Sequence, residues 1–217
     1  MSCSEMIQAT SDQSLTVQRD ELARLARRLW QQSRVTAIVT AMALVAVGSP
    51  TVTAWLQLDI AAVADGQWWR LITGHVTHFG TEHLFWDLLM FIGLGLACER
   101  QHPRHFALGL LSMSLGVSAA VMIWCPDVSQ YRGLSGIDTG LFVWFVVDQV
   151  RQSLAGRDRA MALVWTAAGS LLVGKLIYEW FSGQILFVDA SAFKPLVQSH
   201  LAGAAMGIVL SCGGWRR

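Results

Sequence analysis

The chain has 217 residues, of which 53% are hydrophobic and only 14% are charged. A typical soluble globular protein is about 25% charged, so this composition indicates a membrane protein. The 16 basic and 15 acidic residues nearly cancel, which leaves no positive excess for binding a nucleic acid through its phosphates.

The first element in chain order is a polar segment, residues 1–33, whose arginines lead into the first apolar stretch. A secretory signal peptide is the alternative interpretation, with residues 35–48 as its apolar core. Against it, the polar region is far longer than such peptides use, and further apolar segments follow. We therefore expect residues 1–33 to form a cytoplasmic segment and residues 34–213 to form one membrane domain.

Six apolar segments then follow, each of about 16 to 22 residues, close to the length that crosses a bilayer as an α-helix. The shorter segments suit a thin or distorted bilayer. The sequence therefore predicts an all-α membrane protein, a bundle of six transmembrane helices. The segments are 35–56, 83–98, 106–124, 135–150, 160–181 and 195–212.

Lysine and arginine concentrate in the cytoplasmic loops of membrane proteins, so their placement predicts the orientation of the bundle. One side receives twelve of them and the other side three, with Lys175 inside a segment. Both termini should be cytoplasmic, in a multi-pass protein of the cytoplasmic membrane. The twelve are Arg19, Arg24, Arg27, Arg28, Arg34, Arg100, Arg104, Arg151, Arg157, Arg159, Arg216 and Arg217, and the three are Arg70, Arg132 and Lys194.

The long connection between the first two segments, residues 57–82, is more than a linker. It holds Trp68 and Trp69 beside Asp65 and Arg70, a mixture suited to the headgroup boundary, where aromatic rings lie half in lipid and half in water. We expect a folded interfacial loop here.

Four polar residues converge near the outer surface of the predicted bundle. Segments two, four and six all run inward, and each carries its polar residues near its start: His83 and Asp87, Ser135, and His200. With a rise of about 1.5 Å per residue, all four side chains lie within a turn or two of one surface and can share a cavity. Polar groups inside membrane spans are functional candidates by default.

A serine beside a histidine indicates nucleophilic catalysis, because imidazole can take the proton that makes serine a poor nucleophile. Donors to the developing oxyanion are also needed, and His83 is a candidate. The site is predicted to be a dyad, since no third residue is evidently placed to orient His200.

Small residues favour contact between segments four and six. Gly136 and Gly140 form a GxxxG pattern, and Gly203 and Gly207 follow His200 at helical spacing, so each helix offers a groove for close approach. The alternative is that these glycines only pack helices.

Together these residues resemble the rhomboid family of intramembrane serine proteases, over most of the chain from about Gly66 to Gly207. No single motif is decisive, but their order, spacing and shared depth are specific. The motifs are Trp69-Arg70, His78 followed by His83 and Asp87, the GxxxE of Gly95 and Glu99, the GxSG of Gly133 to Gly136, and His200-x-x-Gly203-x-x-x-Gly207.

The resemblance implies a rhomboid bundle and a serine endopeptidase that cleaves in or next to the transmembrane segment of single-span membrane proteins. Ser135 would be the nucleophile and His200 the general base. The backbone N–H of Ser135 and the side chain of His83 would form the oxyanion hole, with Asp87 beside them. No cofactor is implied, the site faces the outer side, and Trp69-Arg70 would only shape a loop.

Two positions depart from the family pattern. Asp87 stands where rhomboids usually have Asn, and an ionised carboxylate cannot donate to an oxyanion. It is therefore either protonated, or it orients His83 or a water. Thr139 stands where many rhomboids pack an aromatic ring against the histidine, so His200 must be positioned differently.

Within the family, a six-span chain with a GLSG motif is most similar to the rhombosortase-like branch. Its substrates carry a C-terminal glycine-rich motif, a transmembrane segment and a basic tail. The main alternative function is a catalytically inactive adaptor that uses the same scaffold to bind transmembrane helices.

Other polar motifs have simpler interpretations. The H-x2-H-x4-H of His75, His78 and His83 could suggest zinc but crosses a loop-to-helix boundary, so structural histidines are expected. Lys175 and Glu179, four residues apart, should neutralise one another; a transporter would use them as an ion site. For Asp138, one turn past Ser135, a capping or water-facing role competes with an influence on the site.

Overall fold

The computed structural model describes residues 30–184 and 196–213, together with Arg19, Glu21 and Arg24. Two compact units divide the chain, Met1–Arg34 and Val35–Arg217. In the first unit the isolated described residues are helical and exposed. Several residues used for the predicted orientation lie outside the described residues, namely Arg27, Arg28, Lys194, Arg216 and Arg217.

The second unit is a helical bundle. Its elements, in chain order, are α1 (Arg34–Val47), α2 (Pro50–Leu56), β1 (Leu58–Asp59), α3 (Ile60–Ala64), α4 (Arg70–Thr73), a 3₁₀ turn (Gly74–Val76), α5 (Thr81–Gln101), α6 (Phe106–Trp124), β2 (Gln130–Tyr131), α7 (Ser135–Ala155), α8 (Arg159–Ser182) and α9 (Val197–Cys212). The two short strands pair antiparallel, with Leu58 opposite Tyr131.

The predicted class, a helical membrane protein, is confirmed. Helices α5, α6 and α8 are long and apolar enough to cross a membrane, and α1 and α9 are shorter apolar helices. The number of six spans stays a prediction.

The single span expected over residues 35–56 is divided into α1 and α2, so that prediction is wrong in detail. Pro50 has no N–H to continue a helix and is tolerated only in a first turn. Ser49 caps the new helix, because its Oγ accepts from the N–H of Val52 at 3.4 Å. Thr53 Oγ1 then donates back to the carbonyl of Ala46 at 2.6 Å, which fixes the corner.

Helix α7 is central, since it packs against α5, α6, α8 and α9. Its Trp144 is fully buried in the main core with Phe91 of α5 and with Phe106 and Met113 of α6. A second cluster, which has no residue of α7 among its described members, includes Tyr131 of β2. The main core therefore fixes the helix that carries Ser135.

The GxxxE motif of α5 holds the beginning of α1. Glu99 accepts from the backbone N–H groups of Val35 and Thr36, both at 2.9 Å, and from Thr36 Oγ1 at 2.8 Å. The first N–H groups of a helix lack partners within it, and a carboxylate satisfies them well. Gly95 lets the helices approach, because a Cβ there would lie 2.9 Å from Thr36 Oγ1.

The connection after α2 is compact, as expected, and Arg70 organises it. The guanidinium is buried and donates from Nη1 to the carbonyls of Ala54 and Gln57, each at 2.8 Å. A cation suits the carbonyl end of a helix. Trp69 stacks on Trp55, with ring centroids 5.1 Å apart. These contacts agree with a structural role for Trp69 and Arg70.

Candidate active site

Ser135 is the first residue of α7, a helix of 21 residues. The first N–H groups of a helix have no partners within it, and the helix dipole makes this end attractive to negative charge. Ser135 is partly buried and lines a cavity of about 1020 Å³ that is also lined by His83, Asp87 and His200. The four predicted site residues therefore share one cavity.

Helices α7 and α9 touch through their backbones, as the glycine pattern predicts. A Cβ on Gly203 would overlap the carbonyl oxygen of Gly136, and one on Gly207 would overlap that of Gly140. A Cβ on Gly136 would lie 3.0 Å from the carbonyl oxygen of Ser199. Because Gly136 and Ser199 adjoin Ser135 and His200 in sequence, this contact draws the two functional residues toward each other.

The loop before Ser135 is held from two directions. Gly133 has φ +122°, in the region that favours glycine. A Cβ there would lie 2.9 Å from Cε1 of His83, so close packing also requires glycine. The Gly133 carbonyl accepts from the hydroxyl of Tyr131 at 3.3 Å and lies 3.4 Å from Nδ1 of His75.

Asp87 is buried and makes three polar contacts through Oδ2. The N–H of Leu134 donates to it at 2.8 Å, and Nε2 of His78 and of His83 lie at 3.1 and 3.3 Å. A carboxylate only accepts, so both Nε2 atoms carry hydrogens when Asp87 is ionised. The oxyanion role of Asp87 stays a prediction, and these contacts favour the alternative that it orients His83.

The three histidines of the H-x2-H-x4-H motif do not converge. His75 lies apart from the other two, with Nε2 at 3.0 Å from the carbonyl oxygen of Ser114 and 3.1 Å from the hydroxyl of Ser118. Burial lowers the pKa of His75 to about 4, so its ring is neutral at pH 7. Its contacts are those of a structural histidine.

His200 has an orienting partner that the sequence analysis missed. Its Nδ1 lies 2.9 Å from Oε2 of Glu179, whose other oxygen, Oε1, lies 2.6 Å from Nζ of Lys175. The predicted ion pair of Lys175 and Glu179 is present, but the expectation that no third residue orients His200 is wrong. Position along the helices was the usable signal: Glu179 lies in the last turn of α8, and His200 lies in the first turn of α9.

Two polar residues of α7 besides Ser135, namely Asp138 and Thr139, line the cavity. Thr139 donates from Oγ1 to the carbonyl of Ser135 at 2.8 Å, so it packs within its own helix. Asp138 is 6% exposed, and within the described residues neither carboxylate oxygen has a hydrogen-bond partner. The cap of α7 is Leu134, without a side-chain bond. The capping interpretation of Asp138 is therefore wrong, whereas its water-facing role and its influence on the site stay predictions.

A serine at a helix N-terminus and a histidine beside a carboxylate share one cavity in this helical membrane protein, and nucleophilic catalysis by serine uses groups of these kinds. Comparison with known proteins gives the family. Residues 65–217 match the family model of the Rhomboid domain. The chain belongs to the rhomboid family, and the predicted resemblance is confirmed, whereas the rhombosortase-like branch stays a prediction.

Among curated proteins, the chain is similar to "Rhomboid protease GluP" of Bacillus subtilis (strain 168). The two are 27% identical over 160 residues, which is 73% of this chain and 30% of the relative. This chain therefore spans less than a third of the length of that relative.

Proposed function

We propose that this protein is an intramembrane serine endopeptidase that cleaves a peptide bond in or next to a substrate's transmembrane segment. The observation that carries the proposal is the cavity of α5, α7, α8 and α9, in which Ser135 at the start of α7 and His200 of α9 lie together. Membership of the rhomboid family and the similarity to a rhomboid protease support it.

In the proposed reaction, Nε2 of His200 takes the proton of Ser135 Oγ as the oxygen attacks the scissile carbonyl carbon. The C–N bond then breaks, and the same proton passes from His200 to the departing amine. Water, activated by His200, hydrolyses the ester on Ser135. Apart from this water, every group in these steps belongs to the chain or to the substrate. The proposal therefore requires no cofactor.

The negative charge on the carbonyl oxygen develops at the N-terminus of α7. The N–H of Ser135 belongs to the first turn of that helix, where donors have no helical partner. His83 lines the same cavity and is the second proposed donor; because its Nε2–H faces Asp87, it donates to the oxyanion from Nδ1–H of a doubly protonated ring. Asp87 accepts hydrogen bonds from His83 and from the N–H of Leu134. Its proposed contribution to this oxyanion hole is therefore to position the donors.

The proposed substrates are single-span membrane proteins. The cavity walls are largely apolar and include Trp86 and Met90 of α5 and Leu171 of α8, which suits a transmembrane segment better than a charged peptide. The basic residues favour cytoplasmic termini and a site toward the outer face of the cytoplasmic membrane. Proteins with a glycine-rich C-terminal anchor and a basic tail are the narrower candidate class.

Cleavage of reporter proteins in cell membranes tests this function. One reporter carries a plain transmembrane segment and the other a glycine-rich C-terminal anchor with a basic tail. The intact protein should release at least one reporter, and Ser135→Ala should abolish release. Ser112→Ala is the matched control, because Ser112 is a half-buried serine of α6, outside the cavity lining, whose Oγ donates to the carbonyl of Leu108. Undiminished cleavage by Ser135→Ala would refute the proposal.

An inactive adaptor is the second candidate, and Asp87 is the observation that favours it. A carboxylate occupies the place of an expected amide donor, and its Oδ2 is engaged by three donors. An adaptor would bind the reporter segments without cleaving them, and Ser135→Ala would leave that binding unchanged.

A further inference from the structure

Glu179 connects two helices at the site. It is fully buried on α8, with Oε2 at 2.9 Å from Nδ1 of His200 on α9 and Oε1 at 2.6 Å from Lys175. We infer that Glu179 is a positioning residue that makes the site a Ser–His–Glu triad, and that Lys175 holds Glu179 in place. This inference rests on the proposed function and adds a residue to it.

The proton positions follow from the chemistry of the carboxylate. An ionised Glu179 only accepts, so Nδ1 of His200 must carry a hydrogen. A neutral imidazole has one N–H, which leaves the lone pair on Nε2, the atom that must accept the proton of Ser135. When Nε2 takes that proton, the ring becomes an imidazolium, and the adjacent carboxylate stabilises its charge without taking a proton.

The residue at position 139 explains why His200 needs such a partner. Thr139 stands where a packed aromatic ring would otherwise fix the imidazole, and its hydroxyl is turned back to the carbonyl of Ser135. The contact with Glu179 supplies the missing constraint.

Lys175 makes the buried carboxylate tolerable. Removing a carboxylate from water costs several kcal/mol unless it is paired. Lys175 lies one turn earlier on α8, its side chain is 25% exposed and lines the cavity, and its ammonium pairs with Oε1. Glu179 can then remain ionised with Oε2 directed at His200.

A purely structural role is the competing explanation, since a buried ion pair could serve only to join α8 and α9. The two explanations differ in kinetics and in the state of the imidazole. Loss of packing alone would lower stability, whereas loss of positioning lowers the chemical rate of a folded protein and changes which ring nitrogen carries the hydrogen.

The kinetic test uses the full chain in detergent micelles with a fluorophosphonate, which reacts by forming an Oγ–P bond and expelling fluoride as His200 takes the Oγ proton. The variants are Glu179→Gln, which keeps the shape and removes the charge, and Glu179→Asp, which keeps the charge. In established triads, loss of the orienting carboxylate costs about 10⁴-fold in rate. We expect Glu179→Gln to lower the maximal inactivation rate by about 10²-fold or more and to change the inhibitor concentration for half-maximal rate by less than about threefold.

Glu179→Asp should recover part of that rate. The matched control is Asp148→Asn, which removes the carboxylate of another His–Asp pair, with His102, on the same bundle. Asp148 lies thirteen residues along α7 from Ser135, about 20 Å away at the rise of a helix, and the control should react like the unaltered protein. A Glu179→Gln rate within about threefold of that protein, or an equal loss in Asp148→Asn, would overturn the inference.

A second measurement examines His200 in the unaltered protein, so its result does not depend on how well Glu179→Gln folds. Side-chain ¹⁵N NMR of the unaltered protein, with the His200 signals assigned by their absence in His200→Gln, reports the tautomer directly. A neutral His200 protonated at Nδ1 supports the triad, and one protonated at Nε2 overturns it. If the unaltered protein shows no Ser135-dependent labelling, the proposed function fails, and the NMR result still decides whether Glu179 holds His200.

Discussion

Two buried carboxylates, those of Asp87 and Glu179, contact the histidines of the candidate site. Asp87 contacts His78 and His83 through Oδ2, and Glu179 contacts His200. Because these carboxylates are buried, such bonds are stronger than at a surface, and an unpaired partner is costly. Which ring nitrogen of each of these histidines carries a hydrogen therefore depends on a carboxylate that lies on another helix or on an adjacent turn.

The substitution Asp87→Asn tests whether the side chain at this position must donate a hydrogen bond or accept several. If Asp87 donates to the oxyanion, the amide should preserve or raise activity. Because Oδ2 accepts from three donors, we expect instead a loss of about tenfold or more, since hydrogen bonds to a charged group are worth about 2 kcal/mol. The rate of reporter cleavage, measured on protein that retains its unfolding temperature, distinguishes the two results.

The substitution Gly133→Ala tests the loop before the nucleophile. Alanine disfavours the positive φ of this position by about 1 kcal/mol, and its Cβ would displace the ring of His83. We expect a lower unfolding temperature and loss of fluorophosphonate labelling. Gly80→Ala is the matched control, because a Cβ at that loop glycine meets nothing within 4 Å. Normal labelling of Gly133→Ala would show that the loop is not held as described.

His75 should make stability depend on pH. Its pKa is lowered to about 4 by burial, whereas an unfolded histidine has a pKa of about 6.5. The unfolded chain therefore gains a proton first, and stability present above pH 6.5 is lost as the pH falls toward 4, by at most about 3 kcal/mol. Unfolding temperatures of the unaltered protein and of His75→Gln should converge over this range. Parallel curves would contradict the assignment.

At the scale of the helix, the contact between α7 and α9 sets the geometry of the site. Two glycines from each helix leave the backbones in direct contact, and no other residue type permits this approach. The same contact places Ser135 and His200 in one cavity, so packing and function depend on the same four positions.

The substitution Gly203→Ala should therefore force the two helices apart. We expect a loss of stability of about 1–3 kcal/mol, typical of overpacking, together with loss of labelling at Ser135. Gly93→Ala is the control, because a Cβ on Gly93 of α5 meets nothing within 4 Å, and alanine should be neutral or favourable in a helix. The unfolding temperature and the labelling rate are measured on both variants. Equal behaviour would contradict the backbone contact.

The sequence was most informative where each pattern of residues lies within a single helix. The GxxxG of α7 and the glycines after His200 predicted their contact, because small residues at helical spacing have few other uses in a membrane. The break at Pro50 was visible in the sequence but lay within a continuous apolar run. Glu179 was assigned to Lys175 alone, because a partner four residues away on the same helix obscured the contact with α9.

At the scale of the whole molecule, the bundle places Ser135 inside a membrane protein and still gives it polar surroundings. The tightly packed core around Trp144 of α7 fixes the bundle, while the cavity remains lined by Ser135, His200 and several charged groups. Composition alone predicted the membrane class. The cavity could not be predicted from composition, because it depends on how four helices and a loop meet.

The measurement that tests the central claim most directly is fluorophosphonate labelling of the purified protein beside Ser135→Ala and His200→Ala. We predict labelling of the unaltered protein that both substitutions abolish while the unfolding temperature is retained. That result would establish an activated serine that depends on His200. Absence of labelling in folded protein, or labelling that survives in Ser135→Ala, would contradict the proposed protease and favour the adaptor.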